Sequence, residues 1–234
     1  EAGPTICETI WGVDNKAGLD AIGAELSKDR EVAADANGVL HSKDETGFSI
    51  AFQLSERTVM DLDAPRFNLN ENIPRLNAPI DPEQRVRPIG LGHVVFNIPT
   101  EGWKAAAAFY IDRLGFRLSD RANDTGSFMR CEGGHDHHNL FLAHRQNKAG
   151  LNHTAYEVRD FDEIMFAGKF MKSQGWTPNT TPGRHIMGSN LFWYFKNPAG
   201  GVTEFFADMD RMDDNWEPRI WDDNPGFAMW MFDD

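Results

Sequence analysis

Apolar and polar positions alternate or cycle along this chain in a way that divides it into recurring units. "TICETIWGV" (5–13) alternates like a short strand, and "DNKAGLDAIGAELSKD" (14–29) opens on an Asp and places Leu19, Ile22 and Leu26 at helical spacing. "GVLHSKDETGFSIAFQL" (38–54) predicts two strands around a turn at "KDETG". The succession is β-α-β-β, with room for a further short strand.

The same grammar returns twice from residue 89. "IGLGHVVFNIP" predicts a strand, "TEGWKAAAAFYIDRLG" a helix ending at Gly115, and "FRLSDRA", "GSFMRCEGG" and "HHNLFLAH" three strands joined by glycine turns. "LNHTAYEVRD" then repeats the strand and "FDEIMFAGKFMKSQG" the helix, and "SNLFWYFKNP" with "GVTEFFADM" forms a closing hairpin. Such a unit of about 60 residues cannot close its sheet alone, so paired units should curl into one cupped sheet with helices outside. The fold class expected is therefore α+β, with tandem βαβββ units pairing into a cupped, barrel-like mixed β-sheet module.

This divides the chain into a partial N-terminal βαβββ unit at 1–60, a proline-rich linker at 61–88, a paired module at 89–210 and a tail at 211–234. Three units are an odd number for a paired fold, which implies a partner unit upstream of Glu1 or a domain halved by design. The tail is acidic and rich in Trp and Met, as expected of a strap that packs rings on the body or of a flexible end.

Charge narrows the partners. A formal net charge of -13 repels both a phosphate backbone and an anionic membrane surface, so neither nucleic acid nor membrane is expected as a partner. No apolar stretch is long enough to span a bilayer. Two cysteines, Cys7 and Cys131, are too few for a disulfide framework and lack zinc-site spacing, which fits a reducing cytoplasm.

Chemistry concentrates in the paired module. His93 in "LGHVVF" and His153 in "LNHTAYEV" occupy equivalent mid-strand positions of the two repeats, and Glu204 is embedded in the apolar strand "GVTEFF". Ionisable groups at such places are costly unless paired or metal-bound. Alone, each reads as a hydrogen-bonded structural residue, but independent core histidines would rarely share a repeat position. Two imidazoles and a carboxylate are the ligand set of a divalent first-row metal with open positions. "GGHDHHNLFLAH" (133–144) adds four of the eight histidines. The spacing of "HDHH" does not suit a zinc hydrolase.

Residues 89–210 resemble the catalytic module of type I extradiol ring-cleaving dioxygenases, within the vicinal oxygen chelate superfamily. His93, His153 and Glu204 stand at the family's metal-ligand positions, and "HHNLFLAH" resembles its His-His strand. In "GRHIMGSNLFWYFKNPAGGVTEFF" a histidine, His185, precedes Tyr194 by nine positions, and Tyr194 precedes Glu204 by ten. The positions after His185, where several relatives place Asn and Asp, read Met187 and Gly188.

The resemblance implies an oxidoreductase that opens a catechol-type ring beside its two hydroxyls, using O2 and iron(II), with manganese(II) as the alternative. It implies metal ligation by His93, His153 and Glu204, acid-base work by His138, and contact of His185 and Tyr194 with the substrate oxygens. It also implies a homo-oligomer. On strand alternation, His137 should point away from His138, His135 should lie at a turn or entrance, and His144 should sit solvated at the strand end. Phe192 and Phe195 should face away from Tyr194, with Trp193 at the pocket wall or outside. Two other readings stand beside this one: a metal-dependent isomerase, epimerase or thiol transferase of the same superfamily, and a metal-free protein that binds a hydrophobic ligand.

Overall fold

The computed structural model describes residues 6–62, 67–82 and 84–232. Thr5 of the first expected strand, parts of the linker and the last two tail residues lie outside them.

The first unit comprises β1 (Thr9–Val13), α1 (Lys16–Leu26), β2 (Ala33–Ala34), β3 (Leu40–Lys43) and β4 (Ser49–Leu54), in a sheet ordered β1-β4-β3-β2. Asn15 caps α1, its side chain accepting from the Gly18 N–H. The second unit follows with β5 (Gly90–Pro99), α2 (Trp103–Ala108) continuing as a π-helical turn over Phe109–Arg113, then β6 (Arg117–Ala122), β7 (Gly126–Arg130) and β8 (Leu140–Arg145). Helix α2 starts three residues later than the sequence predicts, because Gly102 takes a left-handed φ of 84° just before it. The third unit is β9 (Gly150–Glu157), α3 (Phe161–Ser173), β10 (Gly183–His185), β11 (Leu191–Lys196) and β12 (Val202–Ala207). The Asp160 side chain caps α3 by accepting from the Glu163 N–H.

In every unit the first strand pairs in parallel with the last: β1 with β4, β5 with β8, and β9 with β12. An antiparallel β5–β9 seam joins the second and third units. The result is the expected mixed α+β architecture, but the barrel does not close. The large sheet runs β13-β6-β7-β8-β5-β9-β12-β11-β10-β14, where β13 (Arg219–Trp221) and β14 (Ala228–Met231) come from the tail. The tail is thus a strap: consecutive strands cap the two opposite edges of the sheet, so the chain between them runs from one edge to the other. Strand β10, made of Gly, Arg and His, carries no apolar alternation to announce it.

The first unit does not stand apart. Leu19, Leu26, Ile50 and Phe52 share one core cluster with Phe96, Phe109, Tyr110, Met129 and Leu140 of the second unit. Tyr110 donates to the Asp44 carboxylate at 2.8 Å across this contact. A separate cluster packs α3 against β11 through Ile164, Trp193 and Phe195.

Candidate metal centre

The β5–β9 seam brings the repeat-related histidines together. His93 and His153 are each the fourth residue of their strand, and the antiparallel register pairs His93 with Ala155 and Val95 with His153. Across the parallel β9–β12 pair, Ala155 stands beside Glu204. By the corresponding register in the second unit, Val95 stands beside Phe141, so Phe141 is the counterpart of Glu204. The ligand histidines therefore obey the repeat, whereas the carboxylate comes from one half only.

Among the described residues, His93, His153 and Glu204 form the one group of His, Cys, Asp or Glu side chains close enough to hold a metal ion. Glu204 Oε2 lies 3.0 Å from His93 Nε2 and 3.1 Å from His153 Nε2, and the two Nε2 atoms are 3.3 Å apart. Three bonds of ~2.1 Å set at right angles place their donor atoms ~3.0 Å apart. The three atoms thus form one face of a coordination sphere, leaving the opposite face for small ligands. His153 donates its Nδ1–H to Asn152 Oδ1 at 2.9 Å, which leaves Nε2 bare. Asn152 in turn donates to Asn97 Oδ1 at 2.9 Å. Glu204 is fully buried, and its other oxygen accepts from Asn190 Nδ2 at 3.1 Å.

Electrostatics agree with ligation. Burial opposes charge on Glu204, but His93, His153 and His185 around it outweigh that and hold its carboxyl well below the usual range. Burial keeps His93 below its ordinary value, with the Glu204 charge partly opposing. A buried carboxylate beside two imidazoles is a site that a divalent cation completes.

Above the triad lies a cavity of about 280 Å³, lined by His93, His138, His153, His185 and Tyr194 together with Phe128, Phe141, Met187 and Phe227. All six residues singled out in the sequence meet here, with Glu204 beneath the floor. The His138 ring lies 4.2 Å from that of His93, and burial pushes its pKa well down, so it is neutral at pH 7. His185 Nε2 lies 2.9 Å from the Tyr194 hydroxyl and 3.7 Å from Glu204 Oε1. Its Nδ1–H donates to the Phe227 carbonyl of the strap at 2.9 Å, so the Tyr194 hydroxyl is the donor to Nε2. Burial, and then the neighbouring Glu204 charge, keep the Tyr194 phenol protonated.

The settings expected for His137, His144 and Phe192 are not met, the first for a local reason. Residues 137–139 form a bend and β8 starts only at Leu140, so strand alternation does not apply. His137 is fully buried and meets His138 at 3.0 Å between their Nδ1 atoms. His144 is buried, its ring 4.6 Å from that of Trp103, rather than solvated. His135 binds the Met212 carbonyl away from the cavity. Phe192 shares the cavity side of β11 with Tyr194, its ring 4.0 Å from His185, while Trp193 and Phe195 face α3. Asn190 was legible in principle, since 190, 192 and 194 alternate onto one face; Asn152 announces itself only by preceding His153.

Residues 90–205 match the model of the Glyoxalase/Bleomycin resistance protein/Dioxygenase superfamily. The chain is 39% identical over 127 residues to metapyrocatechase 2 of Cupriavidus necator, covering 54% of this chain and 39% of that protein. It is 27% identical over 157 residues to an iron-dependent extradiol dioxygenase of Rhodococcus jostii (strain RHA1), covering 62% of this chain and 51% of that one. The chain thus spans 39% to 51% of the length of these relatives. Its fold matches that of BphC, a halotolerant catechol dioxygenase, with a TM-score of 0.76 at 18% identity over 97% of this chain and 74% of that structure. Sequence match, fold and triad together place residues 90–205 in the Glyoxalase/Bleomycin resistance protein/Dioxygenase superfamily.

Proposed function

We propose that the protein is an iron(II)-dependent extradiol dioxygenase that opens a catechol-type ring beside its two hydroxyls. The observation that carries this reading is the joining of one triad to three proton-handling groups, His138, His185 and Tyr194, around one aromatic-lined cavity. Relatives bearing the names metapyrocatechase and iron-dependent extradiol dioxygenase support it. An apolar cavity of ~150 Å³ holds a benzene ring. At about 280 Å³, this one has room for a single-ring diol and dioxygen.

His93, His153 and Glu204 would hold the metal, which when bound supplies a common anchor for diol and dioxygen. A catechol must lose a proton to chelate. His185 Nε2 is placed to take a hydrogen bond from one substrate hydroxyl in exchange for that of Tyr194, whose phenol stays neutral and is then free to donate to a substrate oxygen. His138 faces the cavity from the opposite wall, between Phe128 and His93, where it can take a proton from the reacting oxygens and return it. Phe128 and Phe141, stacked at 3.8 Å, keep that wall dry. Diol and O2 are the partners this chemistry requires; nucleic acid and membrane have no part in it. Among the described residues no helix is long and apolar enough to cross a membrane. A cytoplasmic homo-oligomer is the setting that we propose.

The test is anaerobic loading with iron(II) or manganese(II), followed by catechol or 2,3-dihydroxybiphenyl in air on an oxygen electrode. Oxygen uptake that matches diol consumption, yields a yellow product and disappears in His153→Ala supports the reading. Tight metal binding with no uptake on any diol would overturn it in favour of a non-oxidative activity.

A further inference from the structure

The proton-handling His138 is backed by a buried chain of groups that the reaction itself does not touch. Its Nδ1 lies 3.0 Å from His137 Nδ1, and His137 Nε2 lies 3.0 Å from Asp120 Oδ2. Asp120 and His137 are both fully buried. Arg219 of the strap closes the chain: its Nε donates to Asp120 Oδ1 at 2.8 Å and its Nη2 to Oδ2. The β13–β6 register pairs Arg219 directly with Asp120, and the guanidinium lies 5.1 Å from the Trp216 ring and 5.5 Å from that of Trp221.

With both imidazoles neutral, proton counting along this chain has one solution. Burial disfavours charge on Asp120, but the hydrogen bonds from His137 and Arg219 outweigh it and hold the carboxyl below its ordinary range, so it is ionised and can only accept. His137 must therefore donate from Nε2. A neutral imidazole with its proton on Nε2 has a bare Nδ1, so the Nδ1–Nδ1 contact requires that His138 be the donor. His138 then turns a bare Nε2 toward the cavity that it lines.

We propose that Asp120, His137 and Arg219 are positioning residues that lock His138 in the Nδ1–H tautomer, presenting Nε2 as a proton acceptor to the substrate side. Gly188 belongs to the same device. A Cβ there would lie 3.0 Å from His137 Nδ1, and its φ of 86° disfavours any side chain. The glycine leaves room for the His137 ring, and the strap contributes through Arg219. The catalytic consequence rests on the proposed dioxygenase reading, whereas the tautomer itself does not.

The test begins with metal-free, 15N-histidine-labelled protein and long-range 1H–15N correlation, with His138 assigned from the spectrum of His138→Gln. The expected result is a protonated Nδ1 and bare Nε2 on His138, and the reverse on His137. His138 carrying its proton on Nε2 overturns the proposal, and this measurement needs no variant of the relay. In His137→Phe and in Arg219→Gln, His138 should populate the other tautomer. Turnover of the iron-loaded His137→Phe protein should fall by about 10²–10⁴ in kcat, the range for a misdirected acid-base residue, with KM and metal affinity unchanged. An unchanged kcat would remove the catalytic role. If the unaltered protein turns over no diol, the dioxygenase reading fails while the tautomer result still decides the relay.

Discussion

Substituting Gly92 by alanine probes how closely the apolar packing beneath the triad holds the metal ligands. Gly92 lacks a left-handed φ, so the backbone tolerates alanine and only space is at issue. A Cβ at this position would sit 2.2 Å from Phe206 Cζ and 2.5 Å from Cε1. Phe206 cannot step aside: it is 2% exposed, packs with Ala155 and Met209, and its ring lies 4.9 Å from that of His93. Overpacking of this kind costs about 1–3 kcal/mol. In a chain of this size each kcal/mol moves Tm by about 2–4 °C, so calorimetry of the metal-free variant should show a Tm lower by roughly 2–12 °C. The displaced ring presses on His93, and a disturbed ligand support typically weakens metal binding about 10–100-fold. Titration calorimetry with manganese(II) reads that loss, and Phe206→Leu in the Gly92→Ala background should restore much of both. A variant with unchanged Tm and unchanged metal affinity would refute the packing argument.

Two further outcomes follow from the site and from burial. Asn190→Leu removes the donor to Glu204 Oε1, and manganese(II) affinity should fall about 10–100-fold; equal affinity would show that the contact is idle. Burial pushes the Cys131 thiol up to about 11, whereas Cys7 is exposed. At pH 8 a thiol reagent should therefore modify Cys7 quickly and Cys131 slowly. Because only the thiolate reacts, the Cys131 rate should rise about tenfold from pH 8 to 9, and two equally fast thiols would contradict its burial.

The sheet and its triad were legible in the sequence because they rest on period. His93 and His153 fall at the same place in two repeats, and a mid-strand carboxylate among apolar neighbours stands out wherever it occurs. Groups positioned by irregular backbone were not legible. The bend at 137–139 turns neighbouring histidines toward each other, which a strand-based reading excludes. The buried setting of His144 depends on Trp103, 41 residues away in the chain. Phe192 was assigned to the wrong face although simple alternation with Tyr194 places it correctly. The strap was one of two readings of the tail, but its strands eluded the sequence for another reason: short strands such as Arg219–Trp221 are held by long-range pairing rather than by their own propensity. Its Arg219 and Phe227 reach the histidines of the cavity only through tertiary contacts.

The central claim is that the triad of His93, His153 and Glu204 supports ring opening beside the two hydroxyls of a diol. Its most direct test is mass spectrometry of the product formed by the iron-loaded protein from catechol under 18O2, with rapid work-up. The account predicts a ring-opened product with the mass of catechol plus one dioxygen, both new oxygens labelled and the broken bond outside the diol carbons. A product cleaved between the hydroxyl-bearing carbons, or one without label, would contradict it.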